Sequence, residues 1–259
     1  MNKRLKGFIV QLGFLTRIPV HGIVGYNSDL LGKGILFAPV TGLIIATIVY
    51  WGYRLSGFGS INLISIVIAL FIDLVITGGL HYDGMADTCD GLFSYRDRDG
   101  ILEIMKDPRS GTNGVLGLIF AVIFKFVLLY SLKSELIFGA IVGVYVISRC
   151  SIVCLCAFNK YARAGSGFGK SVVEENGLIE AVISLVLSVV LIIAVSGIKY
   201  LYPIPVMLIV VIVISLYMKI KLGGVTGDII GFTVIIIEVV CLFVYVLYGS
   251  LLKFLPGLV

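Results

Sequence analysis

Hydrophobic positions in this chain neither alternate with polar ones nor recur once per helical turn. They run on in long blocks, separated by short polar segments. Seven blocks stand out, at residues 34–53, 61–80, 113–132, 136–158, 178–198, 201–218 and 229–252. A helix rises 1.5 Å per residue, so about 20 apolar residues cover the ~30 Å hydrocarbon core of a bilayer. Helices apolar on every side face lipid or a buried core. The pattern predicts an all-α, polytopic integral membrane protein with about seven transmembrane helices. No internal repeat and no polar appendage interrupts it, so residues 1–259 read as a single transmembrane domain. Residues 8–20 (FIVQLGFLTRIPV) are too short to span and carry Arg17 and Pro19. No small-x-small cleavage site follows them, so an interfacial or re-entrant helix is expected there rather than a signal peptide.

Composition agrees: 59% of the 259 residues are apolar and 14% charged. That excludes a disordered chain, a disulfide scaffold and an ordinary soluble enzyme. The five cysteines (Cys89, Cys150, Cys154, Cys156 and Cys241) read as reduced packing residues. His21, without a visible partner, reads as structural. The net charge of +5 becomes informative by position. Fourteen of the 20 basic residues fall in the N-terminal segment and the even-numbered loops, and four on the other side. The positive-inside rule then places those loops in the cytoplasm. The excess charge is topological, and no nucleic-acid partner is expected.

Acidic residues are scarcer and more concentrated. Seven of the 15 (Asp83, Asp87, Asp90, Asp97, Asp99, Glu103 and Asp107) lie within one 25-residue stretch of a predicted cytoplasmic loop. Asp83, Asp87 and Asp90 are spaced i, i+4, i+7, and share a face if the second span continues as a helix. Glu103 and Asp107 are also i, i+4. Like charges on one face repel unless cations neutralise them. Two carboxylate pairs on neighbouring helices would offer hard oxygen ligands to Mg²⁺ or Mn²⁺. The candidate metal set is therefore Asp83, Asp87, Asp90, Glu103 and Asp107. Asp97 and Asp99, interleaved with arginines, read as a solvated loop.

Small residues around the acids, Gly84 and Gly91 among them, would let a phosphate or a second helix come close. The run Ser110-Gly111-Thr112-Asn113-Gly114 opens the third span, where free N–H groups favour a phosphate. A helix cap accounts for that run equally well. Gly223 to Asp228 form a second Gly-rich turn, in which Thr226 and Asp228 are candidate site residues and Asp228 is equally a cap. Lys106, Arg109 and Arg163 are candidate phosphate contacts. These residues together suggest phosphoryl transfer at the membrane surface, with a carboxylate or His81 taking a proton from the attacking hydroxyl. Asp73, Lys125, Arg149 and Glu238 fall inside predicted spans, where charge is costly unless paired. Asp73 would line the site or pair with Lys125 or Arg149, and snorkelling is a second account of Lys125. These intramembrane charges motivate a rival reading, a transporter, which calls for repeated halves and broken helices. Neither is visible in the sequence.

At the acidic stretch a specific resemblance emerges. GGLHYDGMADTCDG (Gly78 to Gly91), IMKDPRSGTNG (Ile104 to Gly114), FLTRIP (Phe14 to Pro19) and TGD (Thr226 to Asp228) resemble the motifs of the cobalamin synthase, or adenosylcobinamide-GDP ribazoletransferase, family. The resemblance implies attack by a hydroxyl of α-ribazole, or of its 5′-phosphate, on the cobinamide-linked phosphate of adenosylcobinamide-GDP, with GMP leaving. It implies Mg²⁺ as cofactor, and a multi-pass protein of a prokaryotic cell membrane with its active site facing the cytoplasm. Its partners would be the two substrates and the lipid bilayer, with a homo-oligomer left open. The site design also resembles that of CDP-alcohol phosphotransferases: Asp87-x-x-Asp90-Gly91 matches the opening of their motif. Ser94-Tyr95 departs from the Ala-Arg that should follow. By position, the last carboxylate of that motif, which serves as base, falls on Asp107, so Asp107 and His81 are the catalytic candidates.

Overall fold

The computed structural model describes residues 2–20, 22–56, 63–164 and 168–254, without the side chains of Phe168 and 252–254. His21 and the first two residues of the predicted second span lie outside the described residues. Among the described residues twelve α-helices follow one another: α1 (Lys3–Leu15), α2 (Ser28–Gly34), α3 (Ala38–Ser56), α4 (Leu63–Thr77), α5 (Leu80–Leu92) and α6 (Arg98–Ile104) come first. Then come α7 (Thr112–Ser131), α8 (Ile137–Ala157), α9 (Phe168–Glu174), α10 (Leu178–Val195), α11 (Pro203–Leu222) and α12 (Gly227–Phe254). Among the described residues six segments are long and apolar enough to cross a bilayer, or seven if α4 and α5 count as one bent span, and the six overlap the first and the third to seventh predicted spans.

The second predicted span is different. It ends at Thr77, and the chain turns through 89° before resuming as α5. Gly78 and Gly79, with φ of +62° and +71°, make the turn. Side chains other than glycine's strongly disfavour that region, and two such residues in succession break the i to i−4 ladder. The second span thus continues as a helix only after a break, with Asp83, Asp87 and Asp90 all on α5, and the reading that no helix is broken is corrected. α5 has 13 residues, about 20 Å at 1.5 Å each. It is too short to span alone, and it packs against α7 and α12. The FLTRIP segment braces the break. Arg17 donates its backbone N–H to Ile76 O at 2.7 Å, and its guanidinium covers Gly78 where a Cβ would stand.

The bundle is built around α8. Every residue from Gly139 to Cys156 is buried, between α3, α10, α11 and α12. All five cysteines are free and buried, as the composition suggested. The outer helices turn apolar side chains outward, such as Phe120 and Phe124 on α7 and Ile179 and Val186 on α10. That is the expected surface of a protein whose solvent is lipid.

The charges inside the spans form one network. Lys125 Nζ donates to Asp73 Oδ2 at 2.8 Å, Glu238 Oε2 at 2.7 Å and Tyr82 Oη at 2.8 Å. The Tyr82 hydroxyl donates to Asp73 at 3.1 Å. Arg149 pairs with the second oxygen of Glu238 and donates to Ser148 at 3.0 Å. Two cations and two anions balance. Lys125 does not snorkel: its side chain is 2% exposed. The network joins α4, α5, α7, α8 and α12, and Tyr82 carries it across the Gly78–Gly79 break.

Candidate functional site

α5 displays the acidic motif. Asp83 is exposed, Asp87 half-buried and Asp90 buried. α5 crosses α12 closely because both are small at the crossing. A Cβ on Gly84 would stand 2.6 Å from Asp228 O, and one on Gly231 would stand 3.2 Å from the His81 backbone. This contact brings Asp228 beside Asp83 and Asp87.

The loop after α8 completes the surround. Tyr161 and Val225 form a single parallel bridge, with Ala162 N–H to Val225 O and Val225 N–H to Lys160 O both at 2.9 Å. Arg98 clamps the same loops, donating to Leu222 O at 3.0 Å and Ala162 O at 2.8 Å. Arg163 is thereby held against Asp228 at 2.8 Å, and also donates to Met105 O at 3.2 Å. Thr226 supplies the α12 cap, accepting from Ile229 N–H at 3.3 Å, and its hydroxyl donates to Asp228 at 3.3 Å. Thr226 rather than Asp228 caps the helix, and Asp228 lines the neighbouring cavity.

Beside these groups lies a cavity of about 480 Å³. Its charged and polar lining is His81, Asp83, Lys106, Tyr161, Arg163 and Asp228, with Gly84, Gly227 and Gly231 at the α5–α12 crossing. Phe14, Leu15, Ile35, Ile152 and Val172 form much of the remainder. Crowding of carboxylates leaves a mark on Asp87. Burial first, then the neighbouring Asp83 and Asp228 charges, push its pKa up to about 7, against the pull of Arg163.

Other predicted residues sit elsewhere. Asp90 turns away from Asp87 to cap α7, accepting from Gly111 N–H at 2.7 Å and Gly114 N–H at 2.8 Å. The N-terminus expected to receive a phosphate at Gly111, Thr112 and Gly114 therefore has two of its donors engaged by the protein's own carboxylate. Gly91 packs on Met105. Glu103 and Asp107 do not share a helical turn, because α6 ends at Ile104. Asp107 precedes Pro108, whose ring disfavours the helical conformation in the residue before it. Both Asp107 oxygens face Arg109, at 2.9 and 2.7 Å. Those hydrogen bonds hold its carboxyl down at about 2, which suits an ion-pair partner better than a base. Glu103 is exposed.

The five predicted ligands are thus not gathered. Among the described residues no group of three or more acidic, histidine or cysteine side chains stands close enough to hold one ion. The donor chemistry at the α5–α12 junction nevertheless suits a hard divalent cation. Asp228 is paired with Arg163, and Asp83 and Asp228 stand near enough to Asp87 for their charges to add to the effect of burial on its pKa. Sequence reasoning passed over Phe14, Leu15, Tyr161, Gly169 and Val172, which line the cavity with apolar atoms or backbone. The FLTRIP motif was the one signal that pointed toward them.

The model of the cobalamin-5-phosphate synthase family matches residues 7–246. Curated proteins named adenosylcobinamide-GDP ribazoletransferase are similar over most of their length. The one from Caldanaerobacter subterraneus subsp. tengcongensis is 39% identical, over 88% of this chain and 93% of its own. That of Fusobacterium nucleatum is 35% identical over 93% and 97%, and that of Clostridium novyi 34% over 88% and 91%. No solved structure matches the chain significantly.

Proposed function

The chain belongs to the cobalamin-5-phosphate synthase family, and from that premise we propose that it joins adenosylcobinamide-GDP to α-ribazole, or to its 5′-phosphate, at the α5–α12 junction. The observation that carries this placement is the convergence of Asp83, Asp87, Asp228 and Arg163 beside one cavity. The acceptor hydroxyl would attack the phosphorus attached to cobinamide. The pyrophosphate P–O bond would break, GMP would leave, and the hydroxyl proton would pass to a protein base.

Mg²⁺, or Mn²⁺ in its place, would be shared between the carboxylates of Asp83, Asp87 and Asp228 and the substrate's own phosphate oxygens, since no three of the described side chains stand close enough to hold it alone, and it would neutralise charge on those oxygens. The protein's own cations act beside it. Lys106 would hold a phosphate as a mobile point charge, and Arg163 as a planar fork. His81 lines the cavity and is placed there to accept the proton. Asp90 acts at one remove: by capping α7 it fixes that helix against α5 and so positions Asp87. The lysine and arginine distribution supports a cytoplasmic site.

Purified protein in lipid, given both substrates and Mg²⁺, is expected to release GMP and form the joined corrinoid in equal amounts. No GMP under those conditions rules out the reaction.

A further inference from the structure

We propose that the cavity beside α5 is the seat of the acceptor nucleoside, with the apolar lining taking its benzimidazole base, and that the corrinoid donor remains outside; this rests on the reaction proposed above. Size points this way first. A cavity of about 480 Å³ lies in the range of ~300–1,000 Å³ that suits compact ligands, such as a nucleoside of roughly 20 non-hydrogen atoms. The tetrapyrrole of the donor is several times larger.

The lining is also divided in two. Most of its apolar side chains, among them Phe14, Leu15, Ile152 and Val172, come from α1, α8 and α9, with Leu80 and Ile230 at the α5–α12 crossing, whereas its charged ones come from α5, α12 and the segments bearing Lys106 and Arg163. A base with a ribose attached has the same two-ended character. Phe14 and Tyr161 offer aromatic surfaces of the kind a flat heteroaromatic ring packs on.

Hydrogen-bonding capacity separates the acceptor's base from guanine. Among the described lining residues there is no Asn, Gln, Ser or Thr side chain. Seated on the apolar side chains, guanine would leave its amide and amino groups unpaired, which is costly; the carboxylates able to pair them, Asp83 and Asp228, belong to the charged half of the lining. A benzimidazole joined to ribose keeps one bare ring nitrogen and is otherwise apolar. The GMP portion of the donor therefore belongs on the open side, toward Lys106, and the acceptor fills the interior.

The test begins with the unaltered protein in nanodiscs, using 5′-deoxy-α-ribazole as the probe, which has the base but no 5′-hydroxyl. Equilibrium dialysis should detect its binding without the donor, and excess GMP should not displace it. In turnover it should compete with α-ribazole and not with adenosylcobinamide-GDP. Phe14→Ala and Val172→Asn should then raise the KM for α-ribazole about tenfold or more while the KM for the donor changes less than about twofold. Elution as a single species would show that each variant is folded. Displacement of the probe by GMP, competition with the donor, or a rise in the donor's KM alone would overturn the proposal. The dialysis arm needs no turnover. Wild-type protein that binds the probe but makes no GMP would leave the pocket standing and remove the reaction.

Discussion

Replacing Lys125 by Met would remove one cation from a buried set of two cations and two anions. Its ammonium makes three hydrogen bonds of 2.7–2.8 Å and its side chain is 2% exposed. Arg149 would be left against Glu238, and Asp73 would keep only the Tyr82 hydroxyl. Breaking a buried ion pair on one side typically costs ~3–5 kcal/mol. The loss should therefore be about 3–5 kcal/mol. Adding Asp73→Asn removes the stranded charge and should restore more than half the loss. Equilibrium unfolding in mixed micelles measures wild type and both variants. A penalty of the expected size requires an uncompensated buried charge. A deficit below about 1 kcal/mol, or one that Asp73→Asn does not reduce, would show that no such charge is left.

Three further outcomes are expected. Asp90→Ala should cost about 1–2 kcal/mol in the same unfolding assay by uncapping α7, with Asp90→Asn milder because one acceptor oxygen remains. Gly84→Ala places a Cβ 2.6 Å from Asp228 O. Forcing α5 from α12 should cost about 1–3 kcal/mol and lower turnover, measured by thermal melting and GMP release, with no compensating fall in KM. Asp87 protonates near pH 7, and a bound cation needs the carboxylate. Calorimetric Mg²⁺ titrations in buffers of different ionisation enthalpy should therefore show proton release at about pH 6.5 and weaker binding as pH drops below about 7, an effect absent in Asp87→Asn.

The spans were readable because about 20 successive apolar residues have few other homes. Helix boundaries at Thr112 and Leu178 fall within a residue of the expected ones. The break at Gly78–Gly79 was not readable in the same way. Two glycines report freedom, and only the packing of Arg17 and Tyr82 around them turns that freedom into an 89° bend. Helical spacing also misled at Glu103 and Asp107, where the signal to weigh was Pro108. Asp90 shows a deeper limit. Its identity and spacing suit a metal ligand or a cap equally, and the decision lies in α7 meeting α5, a contact between residues 21 and 24 positions apart. The ion pair of Asp73 with Lys125 was one of three readings open to Asp73, because buried charge in a span needs a partner. The apolar half of the cavity was missed because a search for chemistry passes over Phe14 and Val172.

If the carboxylates of α5, with Asp228 across the crossing, carry metal-dependent phosphoryl transfer, turnover must need both the cation and those side chains. GMP release from adenosylcobinamide-GDP and α-ribazole by the protein in nanodiscs, followed across an Mg²⁺ titration, measures this for wild type, Asp87→Asn and Asp228→Asn. Saturable Mg²⁺ dependence is expected in wild type, with a loss on the order of a hundredfold or more in both variants, each still folded, and Asp107→Asn far less affected. Full turnover by both variants, or turnover unaffected by chelation of divalent cations, would contradict a metal-dependent site at the α5–α12 junction.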